Sequence, residues 1–134
     1  MGYGGARLPR VGESDLDQLR RIVLALPEVD ERLSHGARCF FVAGRRALCY
    51  FHDRHNDDRV SLWCPAPPGA VDSRVDAEPH RFFRPPTSAS GTFSRWLGIY
   101  LDVVPRYEVD WDEIADMIER AFRCVAPKRL IVRL

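Results

Sequence analysis

The sequence predicts an α+β fold: a single-layer antiparallel sheet with N- and C-terminal helices packed on one face. Three observations carry this reading. Two segments with helical spacing, one near each end, bracket a series of short aromatic and β-branched runs. The first three of those runs are joined by stretches too short for parallel crossovers, so they must form a meander. Each helical segment also opens on a capping residue and ends at a proline.

In chain order, Met1 to Gly12 is glycine-rich and without periodicity, and reads as a flexible tail ahead of one domain spanning 13–134. Ser14 is placed as an N-cap, with Asp15 and Asp17 in the electropositive first turn. Leu16, Leu19, Ile22, Val23 and Leu26 follow at helical spacing until Pro27 closes the element. Cys39–Val42 and Ala47–His52 read as a hairpin around Gly44, Arg45 and Arg46. After a wholly polar loop, Val60–Cys64 alternates as a third strand, with Val60, Leu62 and Cys64 on one face and Ser61 and Trp63 on the other.

The stretch 65–70 breaks the sheet, a short helix is expected from about Pro68 to Asp76, and Glu78–Phe83 adds a single turn. The Pro-, Ser- and Gly-rich stretch 84–92 is a loop, and Trp96–Leu101 the last strand. Asp110 then caps a helix, with Glu113 three residues on, as a capping box requires. Trp111, Ile114, Ile118, Ala121, Phe122 and Val125 form its apolar stripe. Pro127 suits the first position of a second short helix, with Leu130, Ile131 and Leu134 facing inward.

The 134 residues suffice for one domain with its own core, without metal or disulfide staples. Net charge is +1, from 20 basic and 19 acidic residues, which excludes a chain-wide footprint for nucleic acid. Lys128 is the only lysine. No apolar run is long enough to span a bilayer, and the N-terminal stretch lacks the apolar core of a secretory signal, so a cytoplasmic location is expected. Cys39, Cys49, Cys64 and Cys124 match no zinc spacing and read as buried, reduced thiols.

Several phrases, taken in order, resemble the MmcQ/YjbR family of small bacterial proteins. They are Leu26-Pro27-Glu28-Val29 with Ser34-His35-Gly36, Tyr50 to Asp53, and Leu62-Trp63-Cys64 with Ala66-Pro67-Pro68-Gly69. Further on come Arg81-Phe82-Phe83 with Pro85-Pro86, Trp96-Leu97-Gly98 with Leu101-Asp102, Val109-Asp110-Trp111, and Val125 to Arg129. The resemblance covers about residues 15 to 134. It implies a compact fold similar to the frataxin-like CyaY proteins and a DNA-binding label without agreed catalytic residues. Thr87 to Arg95 departs from the family, being longer than its usual short turn.

The candidate chemistry is sparse. His52 and His55, with Asp53, Asp57 and Asp58, lie in a loop that does not preorganise ligands, and it reads as a solvated connector. Glu13, Asp15 and Asp17 serve the helix dipole and do not form an iron surface. No metal and no cofactor is expected. A thiol enzyme using Cys64 beside His35 is a third-ranked reading, behind two binding functions.

The leading reading is a non-catalytic binding module that engages DNA weakly and non-specifically. Arg45 and Arg46 at the hairpin tip act as a wing, and Lys128 and Arg129 at the helix break supply a second contact. The alternative is a protein-interaction, homodimer or small-ligand face around Trp63, with His35 beside it, on the sheet surface away from the helices. Cover of that face by Phe82, Phe83 and Phe93 is the competing structural explanation.

Overall fold

The computed structural model describes residues 14–34, 36–54 and 57–134. Four expectations lie outside the described residues: the tail over 1–12 and the places of Glu13, His35 and His55.

Ser14 opens helix α1 (Asp15–Val23), its hydroxyl accepting the backbone N–H of Asp17 at 3.1 Å. The helix presents Leu19 and Val23 to the core and leaves its other face to ion pairs. Arg20 reaches across to Glu31 with two 2.8 Å bonds, tying α1 to strand β1 (Val29–Ser34). Strand β1 pairs antiparallel with β2 (Ala37–Val42), which pairs with β3 (Arg46–Asp53), and that with β4 (Val60–Pro65). Helix α2 (Ala70–Ala77) follows, then the two-residue strand β5 (Phe82–Phe83) and strand β6 (Trp96–Tyr100). The sheet order is β1-β2-β3-β4-β6-β5, antiparallel throughout.

Helix α3 (Trp111–Val125) and the short α4 (Lys128–Ile131) complete the chain. The stripe Trp111, Ile114, Met117, Ile118, Ala121, Phe122 and Val125 packs with Leu19 and Val23 against Phe40, Leu48, Leu62, Phe82 and Ile99 of the sheet. Burying each of these large side chains contributes about 1.5–3 kcal/mol, so one sheet face and two helices hold the fold together.

The observed sheet differs from the sequence expectation in two places. β1 is absent from it, and Phe82–Phe83 forms a strand where a turn was expected. In β1 only Val29 and Leu33 are apolar, and the strand pairs on one side alone, so no buried alternation marks it. Along that free edge run Asp30, Glu31 and Arg32.

Four smaller corrections concern the helices. Asp110 does cap α3, accepting from the N–H groups of Asp112 and Glu113 at 3.1 Å each. Glu113 does not return the bond, because its carboxylate bridges Arg74 (3.1 Å) and Arg81 instead. Pro127 stands one place before α4, as its cap, and Leu134 is exposed, with Leu130 alone fully buried in the last turn. Cys39, Cys49 and Cys64 are buried as expected, whereas Cys124 is exposed on α3.

Candidate functional site

The turn between β2 and β3 is built by two successive left-handed residues, Ala43 at φ +53° and Gly44 at φ +66°. Arg45 N–H closes it on Val42 C=O at 3.0 Å. Two positive φ values in the centre match the right-handed twist of the flanking strands. Arg45 and Arg46 therefore leave the turn at its outer end, both exposed, and neither has a carboxylate partner among the described residues.

Opposite them, Ala126 (ψ +147°) and Pro127 (ψ +153°) interrupt the helical path between α3 and α4. The two features enclose a groove of about 380 Å³ with Val42, Ala43, Val125, Ala126 and Pro127 on its apolar wall. Arg45, Arg46 and Arg129 line its rim. The structure thus brings together three of the four basic residues singled out in the sequence. Lys128 is exposed nearby in the chain but does not line the groove.

Arg129 is already engaged. Its two terminal nitrogens donate to the Glu28 carboxylate at 2.6 and 3.1 Å, and Arg133 approaches the same carboxylate at 3.8 Å. The Arg129 hydrogen bonds hold the Glu28 carboxyl below its ordinary value. Glu28 stands at φ +55°, and its backbone C=O accepts the N–H of Ala43 at 2.9 Å. One residue thereby links the hairpin turn, through its backbone, to the C-terminal helix, through its side chain. Glu28 was part of the quoted family phrase, but nothing in the linear sequence placed it beside Arg129 and Arg133.

On the opposite sheet face, Trp63 is half-buried within a cluster of rings. His52 packs at 4.2 Å between centroids, Phe93 meets Trp63 edge-on at 5.4 Å, and Phe83 does so at 6.5 Å. Tyr50 and Trp96 close around Phe93 at 5.7 and 5.0 Å. The loop 87–95 delivers Phe93 to this place through a chain of turns, and Phe93 N–H donates to the Thr87 hydroxyl at 3.2 Å. Phe83 and Phe93 supply cover, as the structural explanation required, whereas Phe82 faces the other way, into the core.

Thiol chemistry finds no support in the geometry. Cys64 is 1% exposed, and burial pushes its thiol up to about 12, the reverse of an activated nucleophile. Among the described residues no group of three or more His, Cys, Asp or Glu side chains could hold a metal ion. A separate hollow of about 490 Å³ lies beside the start of α1. Its charged lining, Asp15, Arg38, Asp53 and Arg54, mixes both signs and confers no preference for an anion.

Residues 24–124 match the model of the YjbR family. The chain belongs to the YjbR family. The match contains Glu28, Arg45 and Arg46, whereas Arg129 and Arg133 lie beyond it. Among solved structures, the YjbR chain is similar to the crystal structure of Deinococcus radiodurans protein DR2400, described by the family domain DUF419. The TM-score is 0.66 at 17% identity, over 85% of this chain and 80% of that one. At that identity the likeness concerns the fold. No curated protein matches the chain. Among the described residues no helix is long and apolar enough to cross a membrane.

Proposed function

We propose that this YjbR protein is a non-catalytic binding module that holds the phosphate backbone of nucleic acid, weakly and without sequence preference. The observation that supports it is the meeting of Arg45 and Arg46 with Arg129 around one groove, two of the three without a carboxylate partner among the described residues. A phosphodiester needs only guanidinium donors and access, both of which the hairpin tip offers. No aromatic ring lines the groove to stack on a base, so sequence readout is not expected. The face around Trp63 takes second place, because Phe83 and Phe93 already pack on it.

The test is fluorescence anisotropy with a labelled random-sequence duplex over a salt series. Binding should appear at low salt, with each phosphate contact contributing about 0.9 to the log–log slope. Arg45→Ala with Arg46→Ala should lower the slope by about 1.8. Absence of binding by the unaltered protein at the lowest salt would remove the reading.

A further inference from the structure

We infer that Arg129 and Arg133 form a second phosphate subsite, which the Glu28 carboxylate fills until nucleic acid displaces it. The inference deepens the backbone-binding reading above and rests on it. Glu28 is positioned by its main chain, through the Ala43 N–H bond, not by its side chain. The carboxylate is free to leave without disturbing the turn. Arg129 and Arg133 hold it on the helical side, and Arg129 also lines the groove whose rim carries Arg45 and Arg46. Its two oxygens accept from Arg129 much as two phosphate oxygens would.

Exposure decides whether such an exchange is feasible. The side chains of Arg129, Arg133 and Glu28 are 60%, 59% and 41% accessible. Solvent screens an ion pair at that exposure, so it adds little to stability and yields readily to a competing anion. A single free phosphate would gain little from replacing a tethered carboxylate. A polyanion also held by Arg45 and Arg46 would exchange more readily, because its second phosphate arrives at high local concentration. Glu28 therefore discriminates for a continuous phosphodiester chain over isolated anions, and it restrains affinity for both.

The experiment measures salt-dependent binding of a random-sequence duplex by the full chain and four variants: Glu28→Gln, Asp116→Asn, Arg129→Ala/Arg133→Ala, and the triple combination with Glu28→Gln. Glu28→Gln retains the carbonyl that serves Ala43. It should steepen the log–log slope by about 0.9 to 1.8, so affinity gains about eightfold per added contact for each tenfold lowering of salt. Asp116→Asn removes another exposed, paired carboxylate and should leave the slope unchanged. The triple variant should lose the gain, because the freed arginines are gone.

If the unaltered chain binds and Glu28→Gln has the same slope, the second subsite is wrong while the Arg45–Arg46 contact stands. A gain that persists in the triple variant reflects bulk charge and also overturns the subsite. Binding by neither the unaltered chain nor Glu28→Gln removes both readings. Binding by Glu28→Gln alone would show that nucleic acid does not displace the carboxylate in the unaltered chain, and overturns both readings.

Discussion

The ring of Phe83 lies across Gly98, so close that a β-carbon on Gly98 would collide with three carbons of the ring. Gly98 is paired with Trp63 on one side and Phe83 on the other, and its missing side chain is the space the ring occupies. Phe83 then stacks on Tyr100 at 4.4 Å and meets Trp63. An aromatic laid over a strand glycine restores the cover that the glycine removes. This contact adds to the hydrogen bonds that pair the two-residue strand β5 with β6.

Gly98→Ala should therefore destabilise the protein by about 1–3 kcal/mol, the usual cost of overpacking a filled site. Phe83→Ala removes the obstacle, so the double variant should cost less than the sum of the two single changes. Urea unfolding followed by tryptophan emission measures both. Additive costs would show that the ring does not depend on the glycine.

Thiol reactivity should separate one cysteine from three. Burial raises the Cys39 thiol to about 11 and the Cys64 thiol to about 12, and Cys49 is driven up as well. Cys124 is exposed, and its milder upward shift slows but does not prevent reaction. Native protein treated with maleimide should gain one adduct by mass spectrometry, mapped to Cys124, and four adducts in denaturant. Rapid native labelling of Cys64 would contradict the burial and reopen a thiol mechanism.

Acid should weaken the fold through two carboxylates. Hydrogen bonds from Arg20 hold the Glu31 carboxyl below its ordinary 4.5, and those from Arg59, with the Val60 N–H, hold Asp102 below 3.8. A value depressed by folding means that the ionised form favours the native state. That stability is fully present above the ordinary values and is lost as pH falls through the folded ones. Glu31→Gln and Asp102→Asn should lower the unfolding midpoint at neutral pH and flatten its decline in acid. A decline as steep as that of the unaltered protein would assign acid sensitivity to other groups.

The two acidic residues at the start of α3 should differ in kind. Asp110→Ala removes a helix cap and should cost about 1 kcal/mol. Glu113→Gln breaks the bridge between Arg74 and Arg81, in which Glu113 is only 20% accessible, and should cost about 1–3 kcal/mol. Glu119→Gln, in a half-exposed pair with Arg123 at 3.5 Å, should fall within about 0.5 kcal/mol of no effect. Thermal unfolding of the three variants ranks them, and equal effects would reduce Glu113 to an ordinary surface charge.

The elements legible in the sequence are those whose signals are local. Ser14 and Asp110 announce their helices because capping bonds form within three residues. Val60, Leu62 and Cys64 alternate with Ser61 and Trp63 because β4 turns one face to the helices, while on the other Trp63 stays half-buried. β1 was not legible, because pairing with β2, not apolar periodicity, makes VDERLS a strand. The Glu113 bridge depends on partners 32 and 39 residues away, against which the local capping box could not compete. At the groove, Arg45 and Arg46 were readable as a turn. Their neighbour Glu28 meets Arg129 across 101 residues, and only the folded chain brings them together.

The flanks of the sheet have a consequence for how copies of this protein behave toward one another. One flank ends in the two residues of β5, too short to template a foreign strand. The other is β1, where the half-exposed side chains of Asp30 and Arg32 would force an incoming backbone to strip water from charged groups before it could zip alongside. Resistance to fibril growth is thus written into the rims of the sheet, independently of whatever the arginine groove holds.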